Sequence, residues 1–263
     1  MSERVPAAVT PAAGQAAFSV ERRQVALHRA NRRGFRWRMI RDWAQSFVIA
    51  LALFFVLRAF FIEGIRIPSG SMEQTLLVGD FLLVNKLAYG AEVPFTARRL
   101  PALEHPQRRD VILFRPPADP RTYYIKRVVG IPGDTVAMKD GVLLVNGVTQ
   151  SEPYVIHMMD PSIDPVDVDF RWQRQFLVRS AAAAGNQHPS RNNWGPLVVP
   201  ERSYFVLGDN RDNSSDSRYW GFVPASSIEG RPIFVYYSYA PDSASRLPQL
   251  TRVRWHRIGE RVE

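Results

Sequence analysis

Hydrophobic positions in this 263-residue chain follow two regimes that meet near residue 63. Residues 43–62 read WAQSFVIALALFFVLRAFFI, and 47–57 lack the polar stripe that a core helix keeps. A helix of that length rises about 30 Å, the thickness of a bilayer core, so the run predicts a membrane span. Trp43 suits one interface, and Arg58 lies close enough to the far end for its head to snorkel outward. A cleavable signal peptide starts nearer the N-terminus and ends in small residues. This run begins after residue 40 and leads into Glu63-Gly64-Ile65-Arg66, as an uncleaved anchor would.

Beyond the anchor the pattern changes to short β-branched runs between turn residues. Strands are predicted at 81–84, 111–114, 123–129, 135–138, 142–145, 204–207 and 233–237. Asp140-Gly141 and Asn146-Gly147 are tight-turn signals on either side of 142–145. No comparably long amphipathic helix follows. The expected fold is mainly β: a single N-terminal transmembrane helix, then an extracytoplasmic domain of packed antiparallel sheets with a looped insertion. The expected division is a basic cytoplasmic segment 1–42, an anchor 43–62 and a catalytic β domain 63–263. Residues 151–203, the least regular stretch, are taken as the insertion.

Charge changes the picture only by its location. The net charge of +9 would fit nucleic-acid binding, but residues 1–42 hold nine arginines against Glu3, Glu21 and Asp42. That is a balance of +6, leaving +3 for everything after it. A basic block just before an apolar span is a topology signal that also favours anionic lipid, so no nucleic-acid partner is expected. It places the N-terminus in the cytoplasm and the β domain outside. With no cysteine, the chain has no disulfide, no thiolate metal site and no cysteine nucleophile. The five histidines (28, 105, 157, 188 and 256) show neither HExxH nor an i, i+4 pair, so no metal is expected. A Ser-His-Asp triad stays open on geometry, although no G-x-S-x-G elbow is present.

Four segments carry candidate chemistry. Ile65-Arg66-Ile67-Pro68-Ser69-Gly70-Ser71-Met72 puts two hydroxyls on a bend where glycine lets a substrate backbone approach. Gly79-Asp80 turns into the apolar run 81–84. Tyr124-Ile125-Lys126-Arg127-Val128-Val129 sets a lysine among apolar neighbours, on the strand face of Tyr124 and Val128. Residues 208–221 read GDNRDNSSDSRYWG, which alone would pass for a solvated loop with internal ion pairs.

In this order, just beyond an anchor, the four segments resemble the bacterial type I signal peptidases. The resemblance covers roughly 43–150 and 204–240. Gln74 stands where that family usually has proline. The resemblance implies a membrane-bound serine endopeptidase without cofactors that cuts signal peptides from preproteins at small-X-small sites. It implies work at the bacterial cytoplasmic membrane, near the export channel. Ser71 would be the nucleophile and Lys126 the general base. The Ser71 amide and the Ser69 hydroxyl would form the oxyanion hole, and Ser214 would orient the lysine. Arg127, Asp209, Arg211, Asp216 and Arg218 would be structural ion pairs. The segment before the cut would bind as an added strand, with Ile65, Ile67, Met72, Leu76, Tyr124 and Ile125 lining shallow pockets.

Residue chemistry agrees with that choice of base. Lysine takes a proton from serine only when it is neutral near pH 7, which burial among apolar groups promotes. Only three lysines occur, and arginine cannot serve. Lys139 abuts Asp140, Lys86 ends an ordinary strand, and Lys126 alone has apolar neighbours. Ser71 follows Ile62 closely enough to lie within about 30 Å of the membrane surface. Phe60 and Phe61 are expected to rest on lipid. Two alternatives share some of these features: a self-cleaving repressor, which would carry a DNA-binding domain in place of the anchor, and a membrane-displayed β binding module.

Overall fold

The computed structural model describes residues 37–58, 62–93, 96, 98–116, 119–159, 164, 168–178, 189–241 and 248–263. Phe60, Phe61 and most of the basic segment lie outside them. The chain divides into two units, Met1–Phe55 and Val56–Glu263.

The apolar run forms a helix, α1, over Trp37–Arg58, with none of its side chains buried. It starts before Trp43, because Arg38, Met39 and Arg41 are good helix formers. Its 22 residues rise about 33 Å, enough to cross a bilayer. Ile62, expected to end the anchor, instead opens the first strand.

Among the described residues eleven strands follow: β1 Ile62–Arg66, β2 Asp80–Asn85, β3 Val111–Phe114, β4 Tyr124–Gly130, β5 Thr135–Lys139, β6 Val142–Val145, β7 Val148–Thr149, β8 Trp194–Val198, β9 Ser203–Leu207, β10 Val223–Pro224 and β11 Ile228–Ser238. They form two antiparallel sheets, one ordered β1-β2-β11-β3-β4-β9-β10 and the other β7-β6-β5-β8. Asp140-Gly141 and Asn146-Gly147 turn the β5-β6-β7 hairpins with positive φ at both residues of each pair, as the sequence signals require. Along β3 the side chains alternate between two cores. Val111 and Leu113 face Leu82, Ile125 and Val235, whereas Ile112 and Phe114 face Val128, Val206 and Ile228. A third core around Trp194 and Phe205 fills the space at the smaller sheet.

Five strands depart from the sequence pattern; β7 and β10, at two residues each, are too short to show a period, and the other three have particular causes. β1 is hidden by Glu63, Gly64 and Arg66, yet it pairs along its whole length with β2. β11 extends well before Ile233 despite Gly230 and Pro232, because its first part pairs with β3 and the remainder with β2, with bulges at the irregular positions. β8 lies inside the supposed insertion, and Gly195-Pro196 obscures it. Its register against β5 shifts between Leu197 and Trp194, which carries the chain past the proline that cannot donate to the ladder. The segment 151–203 is therefore looped at first and then structural, adding Phe170, Trp194, Leu197 and Val199 to the buried core.

Candidate active site

Ser71 sits on the loop between β1 and β2, in a short 3-10 turn over Gly70–Met72. The loop is closed at its base by Ile67 N–H donating to the Asp80 carbonyl at 2.8 Å and Gly79 N–H donating to the Ile67 carbonyl at 3.0 Å. Met72 and Leu76 are buried beneath it, so the apolar side of the turn is fixed and the hydroxyl side is presented. Leu76, expected to line a substrate pocket, is fully buried in this role. Gln74 has φ 85, the left-handed region that a proline ring excludes, and Thr75 N–H closes the turn onto Met72 O at 3.1 Å. The residue that departs from the family pattern thus accompanies a turn proline could not make.

Lys126 lies in the middle of β4 between β3 and β9, paired with Ile112. Its Nζ donates to Ser71 Oγ at 2.8 Å and to the Ile125 carbonyl at 3.1 Å. Both side chains are buried, and the amine lies 5.5 Å from the Tyr124 ring centroid. Burial pulls the lysine pKa down from its ordinary 10.5 to about 8; Asp216 and Asp209 oppose that, and Arg218 adds to it. The two other lysines differ in kind. Lys86 pairs with Glu63 at 2.9 Å, and Lys139 is exposed.

The loop after β9 carries the remaining residues. Arg127 forms a bidentate pair with Asp209 at 2.9 and 2.7 Å and donates to the Arg109 carbonyl. Arg218 pairs with Asp216 at 2.8 and 2.9 Å and reaches the Arg211 carbonyl at 2.7 Å. Burial works against the Asp216 charge. The Arg218 charge and hydrogen bonds, the Gly208 amide and nearby Ser214 outweigh it and hold the carboxyl below the usual range. The Arg127 pair ties the loop to β4 and the Arg218 pair braces the loop internally, and the Asn210 amide donates to the Ser71 carbonyl at 3.1 Å. The Ser214 hydroxyl is buried beside Gly208 without a hydrogen bond of ordinary geometry among the described residues; it does not bond Lys126. Ser69 is exposed at the mouth of the site. The Ser71 amide lies in the first turn of its helix, where no earlier helical carbonyl can accept from it.

A cleft of about 380 Å³ opens on Ser71 and Lys126. Of the expected pocket residues, Ile65, Ile67, Met72, Tyr124 and Ile125 line it, together with Ser69, Ser71 and Lys126.

Several contributors were not visible in the sequence. Thr75 accepts from Arg127 at 3.1 Å and donates to Asp209 at 2.5 Å, which joins the Ser71 loop to the ion pair. Glu152 pairs with Arg211 at 2.6 Å, and the Tyr154 ring lies 3.9 Å from the Arg127 guanidinium carbon. Ile156 exchanges backbone hydrogen bonds with Asp209 and Arg211. Arg257 donates to the Thr75 carbonyl at 2.9 Å and pairs with buried Asp80 at 2.6 Å. Nothing in the pattern around Glu152 or Arg257 marks them, because their partners lie far away in the chain.

Comparison with known proteins matches residues 40–237 to the model described as signal peptidase, peptidase S26. The chain belongs to this family. Signal peptidase I of Pseudomonas aeruginosa is 40% identical over 226 residues, covering 81% of this chain and 78% of that protein. Signal peptidase I of Aquifex aeolicus is 36% identical over 246 residues, covering 81% and 88%. The crystal structure of a signal peptidase I from Enterococcus faecalis is 33% identical, with a TM-score of 0.32 over 49% of this chain and 98% of the other. As a type I signal peptidase the chain is a serine-family peptidase that removes signal peptides, and its apolar N-terminal helix fits the membrane anchoring of that family.

Proposed function

We propose that this enzyme cleaves preproteins with Ser71 as nucleophile and Lys126 as general base. The observation that carries the reading is the 2.8 Å hydrogen bond between a buried lysine amine and a serine hydroxyl at the floor of a cleft. Burial favours the neutral amine, which takes the Ser71 proton as the hydroxyl attacks the scissile carbonyl and returns it to the leaving amine. The Ser71 amide and the Ser69 hydroxyl stabilise the oxyanion, each contributing about 10²–10³ in rate. Ser214, assigned by the resemblance to orient the lysine, would need to turn its hydroxyl toward Nζ to do so, and the pairs of Arg127, Asp209, Arg211, Asp216 and Arg218 brace the surrounding loop.

The substrate segment before the cut lies extended along the cleft between residues 65–69 and 122–126, and its −1 and −3 side chains are small. The shallow lining of Ile65, Ile67, Met72, Tyr124 and Ile125 supports that preference. The basic N-terminal segment faces the cytoplasm, the apolar helix anchors the chain in the cytoplasmic membrane beside its lipid, and the β domain acts outside near the export channel. The basic N-terminal block supports this orientation.

The deciding experiment is cleavage of a preprotein ending Ala-X-Ala by Ser71→Ala, Lys126→Ala and Lys126→Arg. All three should be inactive, the last because a permanent charge supplies no base. Turnover retained by either alanine variant would sink the dyad.

A further inference from the structure

The acidic side chains around the loop after β9 each meet an arginine. Asp209 pairs with Arg127, Asp212 with Arg191, Glu152 with Arg211 and Asp216 with Arg218. Glu73 is different. Among the described residues no arginine or lysine lies within ion-pair reach of its half-buried carboxylate, which accepts a 3.4 Å hydrogen bond from the neutral Asn210 side-chain amide. That bond is long for a carboxylate acceptor and leaves the charge without a counter-charge.

The turn that presents Ser71 also sets the place of Glu73. The Glu73 amide donates to the Gly70 carbonyl at 3.1 Å, and the side chain folds back across Gly70. A β-carbon on Gly70 would lie 3.1 Å from Glu73 Oε2, so the glycine leaves the space that the carboxylate uses. With neighbouring Cα atoms about 3.8 Å apart, this oxygen lies within about 9 Å of the Ser71 Cα. An extended peptide advances about 3.3 Å per residue, so the charge is felt by the first two residues on either side of a bond held over Ser71. Residues 65–69 and Glu73 flank Ser71 on one loop. With the segment before the cut along 65–69, the chain after it passes Glu73. The charged residues lining the cleft itself, Arg66 and Lys126, are both cations, so the carboxylate outside it reverses the sign of the field.

The surface beside Glu73 suits a long basic side chain. Asn210 Nδ2 donates to Met158 Sδ at 3.0 Å as well as to Glu73 Oε2, so a thioether and a carboxylate adjoin. Met158 is exposed, and its amide is fixed by donating to Asp212 at 2.7 Å. Lysine and arginine lay their methylenes on apolar surface and hold the charged head beyond it.

We propose that Glu73 is a specificity-determining residue that reads charge just after the scissile bond. A basic side chain at +1 or +2 is favoured, with its stem on Met158, and an acidic one is disfavoured. This rests on the reading of Ser71 and Lys126 as the dyad and of 65–69 as the seat of the segment before the cut.

The test uses the full chain in detergent at low salt and peptides with Ala-X-Ala before the cut. Lys, Gln or Glu is placed in turn at +1, at +2 and, as a control, at −2. Wild type should prefer Lys to Glu after the cut by about fivefold in kcat/KM, the worth of a good exposed ion pair. The preference should vanish in Glu73→Gln, invert in Glu73→Lys and shrink at high salt. Met158→Glu, which leaves Glu73 in place, should enlarge it. A merely structural Glu73 would affect all peptides alike and leave the ratio unmoved. Thermal melts identify any variant that fails to fold, and wild type with the remaining ones then decides. The inference is overturned by a wild-type ratio within about twofold of one at both positions, by a ratio unmoved in Glu73→Gln, or by a larger swing at −2 than after the cut. Ser71→Ala is run in parallel. Cleavage surviving there brings down the dyad itself, whereas a silent Ser71→Ala with an unmoved ratio brings down the role of Glu73 alone.

Discussion

A β-carbon on Gly208 would stand 2.6 Å from the carbonyl oxygen of Ser71, and nearer still to the Ser214 hydroxyl. Gly208 is thus where the ion-pair loop passes the Ser71 backbone with no room for a side chain. Gly208→Ala is expected to cost about 1–3 kcal/mol of stability, the usual cost of overpacking, and to displace the Ser71 backbone. Denaturant unfolding and preprotein cleavage should both fall; unchanged values in both would remove Gly208 from the site's support.

Activity should depend on pH through Lys126. With a pKa of about 8, the amine is mostly protonated at pH 6, so kcat/KM should fall about tenfold per unit below that value. A rate flat down to pH 5 would exclude a titrating lysine base.

Stability depends on the same residue and also rises with pH, over a higher window. The folded-state pKa lies below the ordinary 10.5, so between about 8 and 10.5 the unfolded chain binds more protons and stability from this residue rises with pH. Below about 8 the fold bears the full penalty of a charged buried lysine, on the order of 3 kcal/mol. Lys126→Met should therefore be inactive yet more stable than wild type at pH 7, with the difference shrinking toward pH 10. Chemical denaturation at the two pH values measures it.

Breaking one buried pair from one side should be severe. Asp209→Ala leaves the Arg127 charge, 2% exposed, without its carboxylate, and removes the Thr75 link as well. A loss of about 3–5 kcal/mol is expected. Replacing Glu152 by Gln keeps the shape and one acceptor for Arg211, so it should cost clearly less.

Gln74 pays for its left-handed backbone. Gln74→Gly should stabilise the chain by about 1 kcal/mol, the strain relieved less the entropy that glycine adds to the unfolded state. Thermal melts at matched pH test this, and a destabilised glycine variant would show that the Gln74 side chain contributes more than its backbone costs.

The legible parts of this molecule are those whose cause is local. Asp140-Gly141 and Asn146-Gly147 announce their hairpins because two consecutive left-handed residues have few other uses. Lys126 stands out because its immediate neighbours are apolar. β1 was hidden since a strand whose sequence is Ile-Glu-Gly-Ile-Arg draws its stability from β2 rather than from its own pattern. β8 was hidden because Gly195-Pro196 reads as a breaker, while the fold accommodates it with a register shift. The seats of Glu152, Tyr154 and Arg257 depend on partners in other segments, and no window of sequence contains both halves of such a contact. Ser214 shows the converse limit. Its motif was plain, but its hydroxyl forms no bond to the lysine.

The contacts that build the site span 55 residues between Lys126 and Ser71, 82 between Arg127 and Asp209, and 182 between Arg257 and Thr75. Each such contact bears a loop-closure cost that grows only slowly with the intervening length, so even the longest of these spans is within reach of a domain of this size. The site exists only where segments far apart in sequence have met, and no short piece of the chain contains it.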